Sequence, residues 1–407
     1  MSTPTAERPT LSFDHHSPVV SRDRRSVIDE VRQEPVFFTE AHGGYWVVTS
    51  HALAKQVLRD SATFSSQKHE DGSGGVTVPT VVGPRLIPAE VDPPYHRALR
   101  KVLAPKFNIG AVDRMRPALE ALVRRTIDRV IEKGSFDVVH DIADVIPAGF
   151  VVDLLGFSEE ERVPFIRSVQ SALAVMPQAA SGEMTAELQE GMAHFARAVE
   201  TINALVADRR SAPQDDLVSY LAQPEHELSD EELLWLSFTL IVGGAENPAA
   251  LIANSLLFLQ EHPDLRSRLA ADPDPEKLRP VIEELLRDVT AGVSLARNVT
   301  ADVELGGQRL KAGERIVVWL PAVNHDPEVF EDPDRFDETR PKCPHMAFGD
   351  GPHFCIGATL ARLQMTLLLT EVLTRMPNYV IDVEASERFD DAATMYGFRT
   401  MPAITGL

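Results

Sequence analysis

The chain has 407 residues, 44% of them apolar and 25% charged, and its 40 Lys and Arg against 61 Asp and Glu leave a net charge of −21. This is the composition of a globular protein that can bury a large core, while the acidity argues against nucleic acid or an anionic membrane surface as a main partner. Two cysteines cannot build a disulfide framework, which points to a reducing, cytoplasmic setting, and no apolar run is long enough to read as a signal peptide or a membrane span.

Residues 1–25 are polar and carry Pro4 and Pro9, which reads as a loosely held tail ahead of a single domain over 26–407. Gly44-Tyr45-Trp46-Val47-Val48 is aromatic and β-branched and predicts a strand. Residues 67–90 hold Gly72, Gly74, Gly75, Pro79, Gly83 and Pro88, a loop long enough to suggest a function. From about 94 to 270 helical periodicity dominates, as in the apolar residues three and four apart after Pro117. Ser229 with Glu232 makes a capping box and predicts a helix to about Leu259, on the order of 45 Å long. Beyond 290 the pattern turns to short strands, with Val303-Glu-Leu-Gly-Gly as a hairpin, and a last helix falls at about 357–375. The fold class is mainly α with a small β portion.

The densest chemistry lies in Phe348-Gly349-Asp350-Gly351-Pro352-His353-Phe354-Cys355-Ile356-Gly357. Three glycines permit a tight backbone that can approach something large and flat. Cys355 stands just ahead of an apolar helix, where the dipole and free N–H groups favour a thiolate able to serve as a metal ligand.

This decapeptide resembles the haem-ligand loop of the cytochrome P-450 monooxygenases, F-G-x-G-x-H-x-C-x-G, at every fixed position. Glu284-Leu-Leu-Arg287 resembles the family's E-x-x-R pair. Asp332-Pro-Asp-Arg335-Phe-Asp-Glu-Thr-Arg340 resembles the segment supplying a second arginine, Arg335 and Arg340 being equal candidates. Asp92-Pro-Pro-Tyr-His96-Arg-Ala-Leu-Arg100 is similar to the helix whose His and Arg bind a haem propionate. The resemblance implies a large single-domain fold with haem b between a long central helix and the cysteine loop, and Cys355 as iron ligand. It also implies haem contacts from His96, Arg100, Arg297, His353, Phe348 and Gly349. His96 and Arg100 are four apart on a helix and share a face. Cys343 reads as a structural thiol.

The long helix contains Gly243-Gly244-Ala245-Glu246-Asn247-Pro248, where the family places an acid and then a threonine. Glu246 matches the acid. Asn247 replaces the threonine; its amide can donate a hydrogen bond but cannot relay a proton by hydroxyl rotation. Pro248 has no N–H for the carbonyl of Gly244, so the helix is expected to bend or widen at 243–248.

By resemblance the substrate pocket draws on the 67–90 loop, the helix around 165–185, and Leu240, Val242, Gly243, Val293, Ser294, Leu295, Met395, Tyr396 and Phe398. This set is mostly apolar and implies a small hydrophobic substrate, of terpenoid or alkoxy-aromatic kind, oxidised with O2. Two cysteines exclude a Cys₄ iron–sulfur cluster, so electrons must come from a separate protein. The family implies a ferredoxin with its reductase, docking on Arg97, Arg100, Lys101, Lys106 and Arg362. Peroxide-driven peroxygenase and non-catalytic haem sensor are the alternative readings.

Overall fold

The inner strand Tyr45–Val48 is buried along its whole length, as a continuous apolar run requires when both faces of a sheet are covered. It pairs antiparallel with Val36–Thr39 on one side and parallel with Arg315–Trp319 on the other. Ser294–Val299 and then Phe64–Ser65 complete five strands. The expected hairpin is Val303–Leu305 with Gln308–Leu310. Gly306 and Gly307 turn it at φ 56° and 77°, the left-handed pair that a two-residue hairpin needs. A Cβ on Gly306 would also meet Leu53 at 2.8 Å and Val36 at 2.9 Å.

The computed structural model of the chain describes residues 8–406 apart from 82, 159, 162, 163, 167, 170–184, 392 and 394. The sheet belongs to one of two compact units, made of the chain up to Thr80, Glu283–Cys355 and Phe389–Tyr396. Val81–Ile282, Ile356–Arg388 and the stretch from Gly397 make the other. Its helices include Tyr95–Phe107, Ile109–Lys133, Val145–Leu155, Ala186–Ser211, Asp230–Glu261 and Ala358–Arg375. A π-helical segment, Val138–Ala143, leads into Val145–Leu155.

The polar N-terminal stretch is not a tail over its described part. Ser17 and Asp23 cap two short helices, Pro18–Arg22 and Arg24–Val31. Phe13, His15, Val20 and Ser21 are buried. Arg24 donates to the carbonyls of Asp288 at 3.1 Å and Val289 at 2.6 Å, and lies 3.8 Å over the ring of Tyr396. Polar residues here have distant partners, which hydropathy alone does not register.

The long helix runs Asp230–Glu261, with Ser229 and Glu232 exchanging both capping-box hydrogen bonds. It is long and apolar enough to cross a membrane, yet Leu233, Leu236, Ile241, Ile252, Leu256 and Leu259 are buried inside the protein. Contrary to the sequence expectation, no widened turn interrupts it at 243–248. Packing along 32 residues outweighs the single hydrogen bond that Pro248 removes. Gly244 serves packing instead: a Cβ there would lie 2.6 Å from Val151 Cγ2 of the neighbouring helix.

Candidate functional site

The cysteine loop is a turn held from several sides within the first unit. The N–H of Cys355 donates to the carbonyl of Phe348 at 2.9 Å, and that of Gly349 to Met346 at 2.8 Å. Gly349 and Gly351 take φ of 69° and 70°, conformations that cost any residue with a Cβ. At Gly351 a Cβ would also overlap the carbonyl oxygen of Leu58. Asp350 between them accepts two hydrogen bonds from Arg59, at 3.0 and 3.1 Å, a two-pronged pairing that fixes orientation. Cys355 is thereby exposed at the end of the turn, beside the exposed ring of Phe354.

Cys343 has the opposite character. Its Sγ faces the carbonyl of Glu283 at 3.7 Å and Glu284 Oε2 at 3.6 Å. Burial first, then the Glu284 carboxylate, push its thiol up to about 12. A thiol so held keeps its proton and makes a poor metal ligand. The exposed Cys355 on its rigid turn fits a thiolate-bound planar group, and Cys343 does not.

The same unit settles the arginine pair. Glu284 accepts from Arg287 at 2.7 and 2.9 Å, from Arg340 Nε at 3.1 Å and from the N–H of Asp337 at 2.9 Å. Arg335 instead turns outward to Asp337 at 2.7 Å and offers only its carbonyl to Arg287 and Arg340. Arg340 therefore completes the triad. Burial works to raise the Glu284 carboxyl, but the hydrogen bonds and charge of Arg287, then Asp337 and Arg340, hold it below the usual range.

Arg297 is buried on the strand Ser294–Val299 and donates to the carbonyl of Ala296 at 2.7 Å. A buried guanidinium suits a carboxylate partner. His353 is half-buried in a short 3₁₀ turn, Gly351–His353. Leu295 Cδ1 lies 3.4 Å from where a Cβ of Gly349 would stand, which puts this pocket candidate against the cysteine loop. Ser294 donates its hydroxyl to the carbonyl of Ala393 at 2.7 Å. Met395 pairs with Gly292, and the N–H of Tyr396 donates to Ala291 at 2.9 Å. These contacts bring 292–296 and 393–396 together. Val293 departs from its reading as a lining residue. It lies just ahead of the strand Ser294–Val299 and is wholly buried in the core with Phe37, Val47 and Trp319.

In the second unit His96 is buried and Arg100 half-buried, on the helix Tyr95–Phe107. On the long helix Gly243 and Asn247 are exposed and Leu240 is partly covered. At spacings of three and four they form one uncovered stripe on an otherwise buried helix. A Cβ on Gly243 would meet nothing within 4 Å. Val242 packs on the core of this unit, as Leu240 partly does, and Phe398 is buried on its own strand, Phe398–Thr400. Thr239, next to the stripe, was not legible from sequence: its hydroxyl is buried with no hydrogen-bond partner among the described residues. Glu246 is half-buried. Burial, and after it the carboxylate of Asp144, pushes its carboxyl up to about 7. The pocket helix expected around 165–185 lies largely outside the described residues.

Residues 276–390 match the protein family described as Cytochrome P450. The chain is 36% identical over 342 residues to nocardicin C N-oxygenase of Nocardia uniformis subsp. tsuyamanensis, covering 82% of each. It is 31% identical over 357 residues to 6-deoxyerythronolide B hydroxylase of Saccharopolyspora erythraea, covering 84% of this chain and 85% of that one. Among solved structures, a mutant of P450 EryK in complex with erythromycin B aligns at a TM-score of 0.83 and 28% identity, covering 96% of this chain and 98% of that one.

Proposed function

The chain belongs to the cytochrome P450 family, whose members hold haem b iron through a cysteine thiolate, and on that premise we propose that it is a monooxygenase with Cys355 as the iron ligand. The observation that carries this reading is the rigid, double-glycine turn that leaves Cys355 exposed. Haem ligated by thiolate supplies oxygen activation, because the sulfur pushes electron density that favours O–O cleavage. Arg297, His96 and Arg100 are the residues to hold its propionates, with Phe348, Gly349 and His353 around the turn. The described N-terminal stretch and residues 26–407 act together as one catalytic domain in this reading, in the cytoplasm.

By the family resemblance the lining candidates are Leu295, Met395 and Tyr396 in the first unit and Leu240, Val242 and Gly243 in the second, each set largely apolar. They support a small hydrophobic substrate, hydroxylated as a terpenoid or O-dealkylated as an alkoxy-aromatic. Electrons come from a ferredoxin and its reductase. The docking face lies on the helix Tyr95–Phe107, where Arg97 and Lys101 are exposed; Lys106 lies 4.3 Å over the ring of Tyr220 and contributes less.

Glu246 is the proton store: a carboxyl near 7 both gives and takes a proton at neutral pH. The Asn247 amide can donate a hydrogen bond but cannot relay a proton as a hydroxyl would, and this feature of the sequence favours peroxide as an alternative oxidant. The test is the haem-loaded protein with a panel of terpenes and methoxylated aromatics that shift the iron spin state. Product is expected with reduced ferredoxin and O2; product with peroxide and none with ferredoxin and O2 would replace the monooxygenase reading by a peroxygenase.

A pH profile tests Glu246. Its acid form is lost as pH rises through about 7, so donor-driven turnover is expected to fall over that interval. Glu246→Gln is expected to lower turnover on the order of 100-fold and to remove the inflection. An unchanged inflection would take Glu246 out of the proton path.

A further inference from the structure

Three imidazoles cluster in the first unit, with ring centroids 4.5 Å apart for His15 and His16 and 4.7 Å for His16 and His42. Only His16 contacts two separate segments near the pocket candidates. Its Nδ1 lies 2.8 Å from Asp391 Oδ2, and its Nε2 lies 2.7 Å from the backbone carbonyl oxygen of Val78. A carbonyl cannot donate, and an ionised carboxylate cannot either. Both ring nitrogens must then carry hydrogen, so the two bonds together require the imidazolium. A neutral ring has one N–H and loses one of them.

The two segments so joined matter to the pocket reading. Val78 belongs to the 67–90 loop. Asp391 accepts the N–H of Ala393 at 2.9 Å, and the carbonyl of Ala393 takes the Ser294 hydroxyl. Met395 and Tyr396 follow, held to Gly292 and Ala291. We propose that protonated His16 is a positioning residue for the substrate pocket, tying the 67–90 loop to the turn that presents Met395 and Tyr396. The inference rests on the lining assigned above.

The groups facing His16 are Asp14, Asp391, His15 and His42, with Tyr45 behind His15. The backbone nitrogen of His16 and His42 Nε2 both lie 2.9 Å from Asp14 Oδ1. His15 is 2.7 Å from the Tyr45 hydroxyl; burial first, then His16, lower it to about 3, so it stays neutral. Burial opposes charge on His16, but the bonds to Asp391 and Val78 raise its value above that of an ordinary histidine. Both hydrogen bonds are therefore complete below the ordinary histidine range, and one is lost as pH rises through the raised value.

The haem-loaded protein tests this with 4-phenylimidazole as the probe, read by its Soret shift, and hydrogen exchange over 74–80 and 389–396. Between about pH 6 and about pH 8.5 the wild type is expected to bind the probe about 3- to 10-fold more weakly as pH rises, with faster exchange in both segments after correction for intrinsic rates. His16→Gln and Asp391→Asn are each expected to show the high-pH affinity and exchange at both values. If both variants keep the wild-type pH dependence of exchange, His16 is not the tie and the proposal fails. If exchange follows His16 while probe affinity does not move, the pocket lining is wrong and the positioning role falls with it.

Discussion

Cys355→Ser is expected to abolish the absorption signature of a thiolate-bound carbonyl haem and to reduce monooxygenase turnover to background. The loss should exceed the roughly 100-fold that removal of an outer-shell partner costs at metal sites, because the ligand itself is gone. The turn explains why serine should not simply unfold the loop. Its shape comes from Gly349, Gly351 and the Arg59–Asp350 pair, and the hydrogen bond from residue 355 to Phe348 uses the backbone N–H, which serine keeps. Cys343→Ser is the matched control. That thiol sits protonated beside Glu284, so its replacement is expected to leave the signature intact. Carbon monoxide difference spectra of the two reduced proteins decide the matter. A retained signature in Cys355→Ser, or its loss in Cys343→Ser alone, would move the ligand elsewhere.

Arg287→Ala is expected to be the most destabilising substitution in the chain. Arg287 and Glu284 are both almost fully buried. The guanidinium also donates to the carbonyls of Asn324 at 3.0 Å and Pro333 at 2.9 Å, so it ties three stretches of chain at once. Truncating one member of a buried pair leaves the other charge uncompensated, at a cost of about 3–5 kcal/mol. Set against a total stability of about 5–15 kcal/mol, that loss should show as a large drop in the urea midpoint and in haem retention. Arg287→Lys should rescue little, since an ammonium cannot donate in two parallel bonds to one carboxylate. The acid limb follows the same pair. Glu284 is held below the usual carboxylate range, so its contribution is present above the ordinary value and lost as pH falls through the lowered one. An Arg287→Ala protein as stable as wild type would show that Arg340 alone satisfies Glu284.

Much of this was legible because local chemistry and distant packing agree. Ser229 and Glu232 announce a helix start by spacing alone, and Gly306-Gly307 announces a hairpin because few residues tolerate its dihedrals. The choice between Arg335 and Arg340 was not legible. Both are arginines on one short segment, and the difference is which one turns its side chain toward Glu284 and which only its carbonyl. That depends on a turn at Asp332, whose φ is 45°, and on packing against Glu284, 56 residues away. Pro248 misled for a similar reason: its local penalty is real, but the long helix continues unbroken through it, packed against its neighbours. Residues 1–25 looked like a tail because the anchors in their described part are polar. His16, Ser21 and Arg24 find partners at Asp391, Phe389 and Val289, and no hydropathy pattern shows such pairings in advance.

The parallel pairing of Tyr45–Val48 with Arg315–Trp319 sets a condition on how the protein is made. Trp46 lies opposite Ile316, a separation of 316 − 46 = 270 residues. At about 5–20 residues per second, a ribosome that has released the first strand needs tens of seconds before its partner emerges. Through that interval the hairpin Val36–Val48 presents an unpaired edge, and contacts this distant in sequence form late and slowly. Synthesis in cells is therefore expected to depend on chaperones more than the stability of the finished sheet would suggest, and chains truncated before Arg315 should aggregate.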